Sequence, residues 1–236
     1  MQYIPPNNLR GANLAPLLAA RGLDPDWIQL HDFDPHSPQN VARYTYAEAA
    51  GLVPFHYRAA LTSLPELRAW IDTLVGTAKQ EQDERNSPIA SVIHGPSLLL
   101  LGQTGVGKTH EAYGAMRELA VTGVYAQWQV TTAADLYAAL RPRHGIDSEA
   151  EFRHYRDARL LLVDDLGAER KPTEFTEEVN FRLINYRYER HLPTLFTSNA
   201  DAGTLRDRLG DRVTSRLREM CQRVAIKGND RRRTAA

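Results

Sequence analysis

Apolar positions in this chain change rhythm near residue 97. From there, short continuous apolar runs alternate with stretches of helical period. Leu98 to Leu101, Val124 to Val130, Leu160 to Val163, Thr194 to Ser198 and residues 222–226 read as five strands. The unbroken apolar run from Leu160 to Val163 marks a strand covered on both faces. Between them, Lys108 to about Val121 carries a stripe of Ala112, Met116, Leu119 and Ala120. Thr131 or Thr132 can cap a helix reaching Leu140. Further helices are expected at about 148–157, from Thr173 to Glu189, near 203–208 and near 211–220. Strand and helix in alternation predict an α/β fold, a parallel five-stranded sheet with helices on both faces. Right-handed crossovers bring the strand ends to one edge, where a ligand sits.

The first part of the chain reads differently. Pro5, Pro6, Pro16, Pro25, Pro35, Pro38 and Pro54 break it into short pieces. Leu14 to Ala20 and Ala47 to Leu52 are candidate short helices. Leu61 to about Arg85 is one long helix, with Leu64, Leu67, Trp70, Ile71 and Leu74 at helical spacing, ended by Asn86-Ser87-Pro88. These patterns divide the chain into an N-terminal extension (1–60), a linker helix leading inward (61–96), a core (97–228) and a basic tail (229–236). The cluster from His31 to His36 holds metal-ligating residue types, but on a proline-broken turn it reads as a solvated loop.

Composition adds exclusions more than assignments. With 42% hydrophobic and 25% charged residues, the 236-residue chain has the profile of a soluble globular protein. Its net charge of zero is neutral on a polyanionic partner. Cys221 is alone, so neither an intrachain disulfide nor a cysteine-based zinc site can form. No apolar run approaches the ~20 residues of a membrane span, and Met1 to Arg10 lack an apolar signal core. A cytoplasmic protein is expected.

Chemistry enters at Gly102-Gln103-Thr104-Gly105-Val106-Gly107-Lys108-Thr109, which follows the first strand and opens a helix. This is a phosphate loop in its strand–loop–helix setting. Glycines let consecutive N–H groups point at phosphate oxygens, and the helix adds its positive end. Lys108 can reach the β- and γ-phosphates of ATP, and the Thr109 hydroxyl can ligate Mg²⁺. The strand at 160–163 ends in Asp164-Asp165. Asp164 is the candidate outer Mg²⁺ ligand, and Asp165 the group that orients the attacking water. The distance from Lys108 to Asp164 leaves room for another strand, which favours the additional-strand ATPases over simple nucleotide kinases. Asn199 closes a third strand and can bridge the γ-phosphate and the water. Arg212 and Arg216 share one face of a short helix. By spacing alone a solvated basic helix is the simpler reading; an arginine offered to a neighbour's γ-phosphate is the other.

With these pieces in order, the chain resembles the DnaC/IstB group of AAA+ ATPases, bacterial replicative-helicase loaders and transposition helpers. The resemblance covers roughly residues 50 to 228. It rests on the two nucleotide motifs and on Gly51 to Ala59, Asp164-Asp165-Leu166-Gly167, Ile184 to Tyr188, Pro193 to Asn199 and Asp211 to Leu217. It implies a P-loop NTPase of AAA+ type without a C-terminal lid domain, self-associating head to tail with ATP between protomers. Arg216 then looks like the finger supplied in trans, with Arg212 the weaker candidate. Aspartate at 165, where many relatives in the wider superfamily carry glutamate, implies slow hydrolysis. The group binds single-stranded DNA through the region corresponding to 131–158, which here carries Arg141, Arg143, His144, Arg153, Arg156 and Arg159 with Tyr137 and Tyr155. Basic groups with aromatic faces suit strand binding, and equally a solvated surface. The stretch from Thr204 to Ala236 has ten Lys/Arg against four Asp/Glu. The N-terminal extension would choose the partner, a helicase or a transposase. A replicative-helicase loader is the leading expectation and a transposition helper the runner-up. A non-hydrolysing ATP-gated adaptor is the alternative from another class.

Overall fold

Every residue of β3 (Leu160–Asp164) is buried, as the unbroken apolar run requires. The computed structural model describes residues 14–24, 26–29, 33–145, 147–168, 172–228 and 230. The chain forms two units, His94–Thr109 with Trp128–Ala236, and Met1–Ile93 with His110–Gln127.

The first unit is built on five parallel strands. They are β1 (Ser97–Leu101), β2 (Trp128–Thr132), β3, β4 (Thr194–Ser198) and β5 (Cys221–Ala225), in the order β2-β3-β4-β1-β5. Leu101 lies opposite Ser198 and Val163 opposite Phe196, so β1, β3 and β4 finish along the same edge. One face of the sheet carries Leu99, Leu161, Val163 and Phe196 into a core with four helices. These are α5 (Ala133–Leu140), α6 (Ser148–Arg156), α7 (Glu174–Glu189) and α8 (Ala202–Met220). Leu98, Leu100, Leu160, Leu162 and Leu195, which alternate with them, are buried too.

Polar residues mark the helix starts. The side chains of Thr132, Asp147 and Asp201 accept the first free N–H groups of α5, α6 and α8. Thr173 and Thr176 form a reciprocal capping box at α7. Gly210 (φ 79°) interrupts α8 and makes it the two pieces expected near 203–208 and 211–220.

Arg187 on α7 is fully buried. It donates to Thr194 Oγ1 (2.7 Å), Ala158 O (2.7 Å) and Pro193 O (2.9 Å), tying α7 to the starts of β3 and β4. Burial pulls its guanidinium down to about 9, still above neutrality, so the charge is retained and these oxygens balance it.

The second unit is helical. It contains α1 (Ala15–Ala20), α2 (Pro38–Leu52), α3 (Pro65–Arg85) and the part of α4 (Lys108–Ala120) from His110 onward. Here the structure corrects three boundaries. First, α2 is much longer than Ala47 to Leu52, because Pro38 opens it rather than breaking it. Ser37 caps it by accepting Asn40 N–H (3.3 Å), and the first turn does not miss proline's N–H. Second, α3 begins at Pro65 because the residues before it are bonded elsewhere. Glu111 accepts the Thr62 hydroxyl (2.7 Å), Ser63 N–H (2.8 Å) and the Ser63 hydroxyl (2.6 Å). Glu118 accepts Thr62 N–H (2.9 Å) and Arg68 Nε (3.2 Å), and Arg117 donates to Ala60 O. Third, the strand expected over 124–130 is divided. Tyr125 exchanges hydrogen bonds with Ala90 O (2.8 Å) and Val92 N–H (2.9 Å), and β2 begins only at Trp128.

Among the described residues, no helix is long and apolar enough to cross a membrane and no cluster of three or more His, Cys, Asp or Glu is placed to hold a metal ion. His31, Asp32 and Arg231 to Arg233 lie outside the described residues. Asp34 accepts His36 N–H (2.9 Å), the bond of a local turn.

The segment before α3 lies directly on α4 at Gly114. A Cβ there would fall 2.5 Å from the backbone of Leu61 and Thr62. Gly114→Ala should therefore destabilise the chain by about 1–3 kcal/mol from overpacking, outweighing alanine's helix preference of about 1 kcal/mol. Urea unfolding measures it; equal or greater stability would show that the segment yields freely.

Candidate nucleotide-binding site

The loop between β1 and α4 is pinned at its root. Gly102 N–H donates to Ser198 O (3.3 Å), and Ile226 N–H to Leu101 O (2.7 Å). A Cβ on Gly102 would meet Ile226 O at 2.5 Å, so only glycine passes between the loop and the exit of β5. Gly105 and Gly107 have φ of 85° and 103°, in the left-handed region that a phosphate-cradling turn uses. Gln103 and Thr104 are exposed, while Val106 packs inward. A cavity of about 500 Å³ opens beside the loop, lined by Gly102, Gln103, Val106, Asn199, Asp201 and Lys227.

Lys108 is buried, and its ammonium donates to Gly102 O (2.9 Å), Gln103 O (2.9 Å) and Asn199 Oδ1. The other end of the Asn199 amide donates to Asp165 Oδ1 (2.8 Å). One side chain thus touches both the loop lysine and the second aspartate. Thr109 Oγ1 lies 3.1 and 3.2 Å from the two Asp164 oxygens. Burial pushes the Asp164 carboxyl above its usual range, and the hydroxyls of Thr197 and Thr109 act against that shift. Asp165 has φ of 57°, and this left-handed turn directs the chain away from the sheet.

Thr197 and Ser198, which share the polar strand tip with Asn199, hold that turn. Thr197 Oγ1 donates to Asp164 Oδ1 and accepts Asp165 N–H (3.0 Å). Thr197 O accepts Leu166 N–H (2.8 Å), and the Ser198 hydroxyl donates to Leu166 O (2.6 Å). The available signal was three polar residues in succession closing a buried strand. Their partners depend on register, which the local sequence does not express.

The residues present suit a nucleotide and a divalent cation. Asp230 places its carboxylate against Gly105, in the space a Cβ there would need, so this surface of the loop already receives an anionic oxygen. Thr109 and Asp164 converge as hard oxygen donors, the ligand type Mg²⁺ takes.

Gly102 to Thr109, Asp164, Asp165 and Asn199 therefore gather at one sheet edge. Arg216 and Arg212 sit elsewhere, on α8. Arg216 donates Nε to Asn185 Oδ1 (3.3 Å), lies over the Tyr188 ring (4.5 Å) and is 3.7 Å from Glu219. Tyr188 in turn donates to Glu219 (2.6 Å), which holds the Glu219 carboxyl low. Arg212 is exposed.

The candidate DNA residues do not form one uniform basic face. Arg141 and Arg143 are exposed in the turn after α5. Arg153 is exposed and 3.9 Å from Asp147. Arg156 is paired with Asp157 through two bonds of 2.9 Å and stacks on Tyr186, whose ring Arg190 also covers. Tyr137 is buried with its hydroxyl on Asn180 (2.8 Å), which leaves it no face for a base.

The family model described as IstB-like ATP binding protein matches residues 82–236. The chain is similar to the ATP-binding protein of insertion sequence IS5376 from Geobacillus stearothermophilus. Identity is 31% over 158 residues, 65% of this chain and 61% of that one. It is also similar to the replicative helicase loader DnaC of Escherichia coli, at 24% identity over 173 residues, 72% of this chain and 66% of DnaC. The matches thus span less than two thirds of either relative's length. A solved structure of the DnaC helicase loader superimposes with a TM-score of 0.58 at 22% identity, covering 74% of this chain and 100% of that one. The two share a fold, here a parallel sheet in the order β2-β3-β4-β1-β5 with the phosphate loop after β1. On the match to most of its length, the chain belongs to the family of IstB-like ATP-binding proteins.

Proposed function

We propose that this protein is a slow, ATP-driven switch that loads or remodels a DNA-replication assembly in the cytoplasm, as a replicative-helicase loader does. The observation that carries this reading is the double contact of Asn199, to Lys108 and to Asp165. An arriving γ-phosphate competes for the Lys108 ammonium. The Asn199 amide must then change partners, and Asp165 feels the change. In this reading the loop from Gly102 to Thr109 holds the phosphates, Thr109 and Asp164 hold Mg²⁺, and Asp165 orients the water. Bound there, Mg²⁺ would offset charge on the transferring phosphoryl group. Asp165 is short and already engaged by Asn199, which supports slow turnover.

Arg216 acts on a neighbouring protomer's ATP. Its resting contacts with Asn185, Tyr188 and Glu219 must open for that, so assembly and finger release are one event. Residues 1–60 choose the partner, supported by the exposed rings of Phe33 and Phe55. Single-stranded DNA runs along Arg141, Arg143, Arg153 and Arg156. A second reading, a transposition helper acting with a transposase, is favoured by the 31% identity to the insertion-sequence protein. Co-purification of the ATP-bound chain with a ring helicase or with a transposase separates the two.

ATP turnover with and without single-stranded DNA in low-salt buffer tests the reading. Lys108→Ala should weaken ATP binding by about tenfold or more, the scale of losing a charge-assisted contact, and abolish turnover. Arg216→Ala should bind ATP as the parent does but lose DNA-stimulated turnover and ATP-dependent assembly. A parent-like rate in that variant rules out the trans role. Asp230→Asn removes the negative charge lying on the loop and should tighten ATP binding several-fold; unchanged affinity would mean that the carboxylate is displaced without cost.

A further inference from the structure

Thr197 is fully buried near the end of a central strand, and its hydroxyl is used on both sides. It donates to Asp164 Oδ1 and accepts Asp165 N–H, so a single oxygen joins the two acidic residues from the neighbouring strand. We propose that Thr197 is a positioning residue for the metal-dependent step, coupling Mg²⁺ to bound nucleotide through Asp164 and Asp165 without touching either ligand. The proposal rests on the ATP–Mg²⁺ reading above.

Register explains why this position carries the task. β3 and β4 are paired through Val163 and Phe196. Two residues past Val163, the chain at Asp165 leaves the sheet in a left-handed conformation, and Thr197 Oγ1 takes its N–H. The backbone of the same threonine accepts Leu166 N–H. Asp164 meanwhile receives two hydroxyls, Thr197 from β4 and Thr109 from the loop helix. Thr109 is itself a candidate metal ligand, so it must be free to turn towards the ion. Thr197 is then the hydroxyl that stays and keeps the carboxylate aimed. Loss of a group that orients a metal-binding carboxylate in this way typically costs about 10–100-fold in metal affinity or activity.

Thr197→Val keeps the branched shape and removes the oxygen; Thr197→Ser keeps the oxygen. Both would be compared with the parent chain by binding of a fluorescent ATP analogue, first in EDTA and then across a Mg²⁺ titration, alongside melting temperature. The expected result is parent-like affinity in EDTA for both variants. The Mg²⁺ concentration for half-maximal effect should rise about tenfold in Thr197→Val, the lower end of the usual loss on removing such a group, and be largely restored in Thr197→Ser. A parent-like Mg²⁺ midpoint in Thr197→Val overturns the proposal. So does a loss of affinity in EDTA that matches the loss with Mg²⁺, which would mark Thr197 as purely structural. If the parent chain binds no analogue, or binds it without response to Mg²⁺, the ATP–Mg²⁺ reading itself fails and the proposal falls with it.

Discussion

A buried strand cannot leave a polar side chain unpaired, and β4 carries polar groups at both ends. Thr194, Leu195, Phe196, Thr197 and Ser198 are all buried. The apolar centre packs in the sheet, and the ends must find partners. At the start of the strand, Thr194 bonds the Arg187 guanidinium. At its finish, Thr197, Ser198 and Asn199 bond the turn after β3 and the lysine of the loop after β1. The sheet order places β4 between exactly those two strands' elements, so satisfying β4 also assembles the site.

The electrostatics at the edge follow from the same burial. Lys108 is surrounded by three oxygen acceptors, two of them loop carbonyls, so its charge is compensated before any phosphate arrives. Asp164 is pushed towards its neutral form by burial and drawn back by two hydroxyls. Asp165 is held by a neutral amide rather than by a cation. Carbonyl, amide and hydroxyl groups thus contact each of these charged groups.

The helical unit solves a different problem. Glu111 and Glu118 are buried on α4, and a buried carboxylate is costly unless its oxygens are filled. Thr62 and Ser63 fill them with hydroxyl and backbone donors, and Arg68 adds a charge. The peptide from Ala60 to Ser63 is consequently held against the helix, and Gly114 permits the close approach. The contact organises the chain immediately before α3 and explains why that helix starts at Pro65.

The local sequence was sufficient wherever one short stretch contains the whole interaction. The phosphate loop, the run from Leu160 to Val163, a threonine cap at 131 or 132 and the two helical pieces near 203–208 and 211–220 are of this kind, since glycine torsions, burial periodicity and capping act within a few residues. Asp164, Asp165 and Asn199 were legible as strand-end polar residues, and the tertiary structure brings them to one edge with Lys108 and Thr109. Partner choice across the chain was not legible. The run 124–130 has the composition of one strand, yet Tyr125 pairs with residues 90–92 and only the later part joins β3. Proline at 38 was ambiguous because the same ring breaks a helix interior and opens a first turn. Thr197 was legible as part of a polar strand tip, but its two hydroxyl partners arise because the β3–β4 pairing ends at Val163 and Phe196, one residue before it. Sequence determined which groups need a partner, because solvation cost belongs to the residue; tertiary structure decided which partner each received, because register and sheet order are properties of the whole chain.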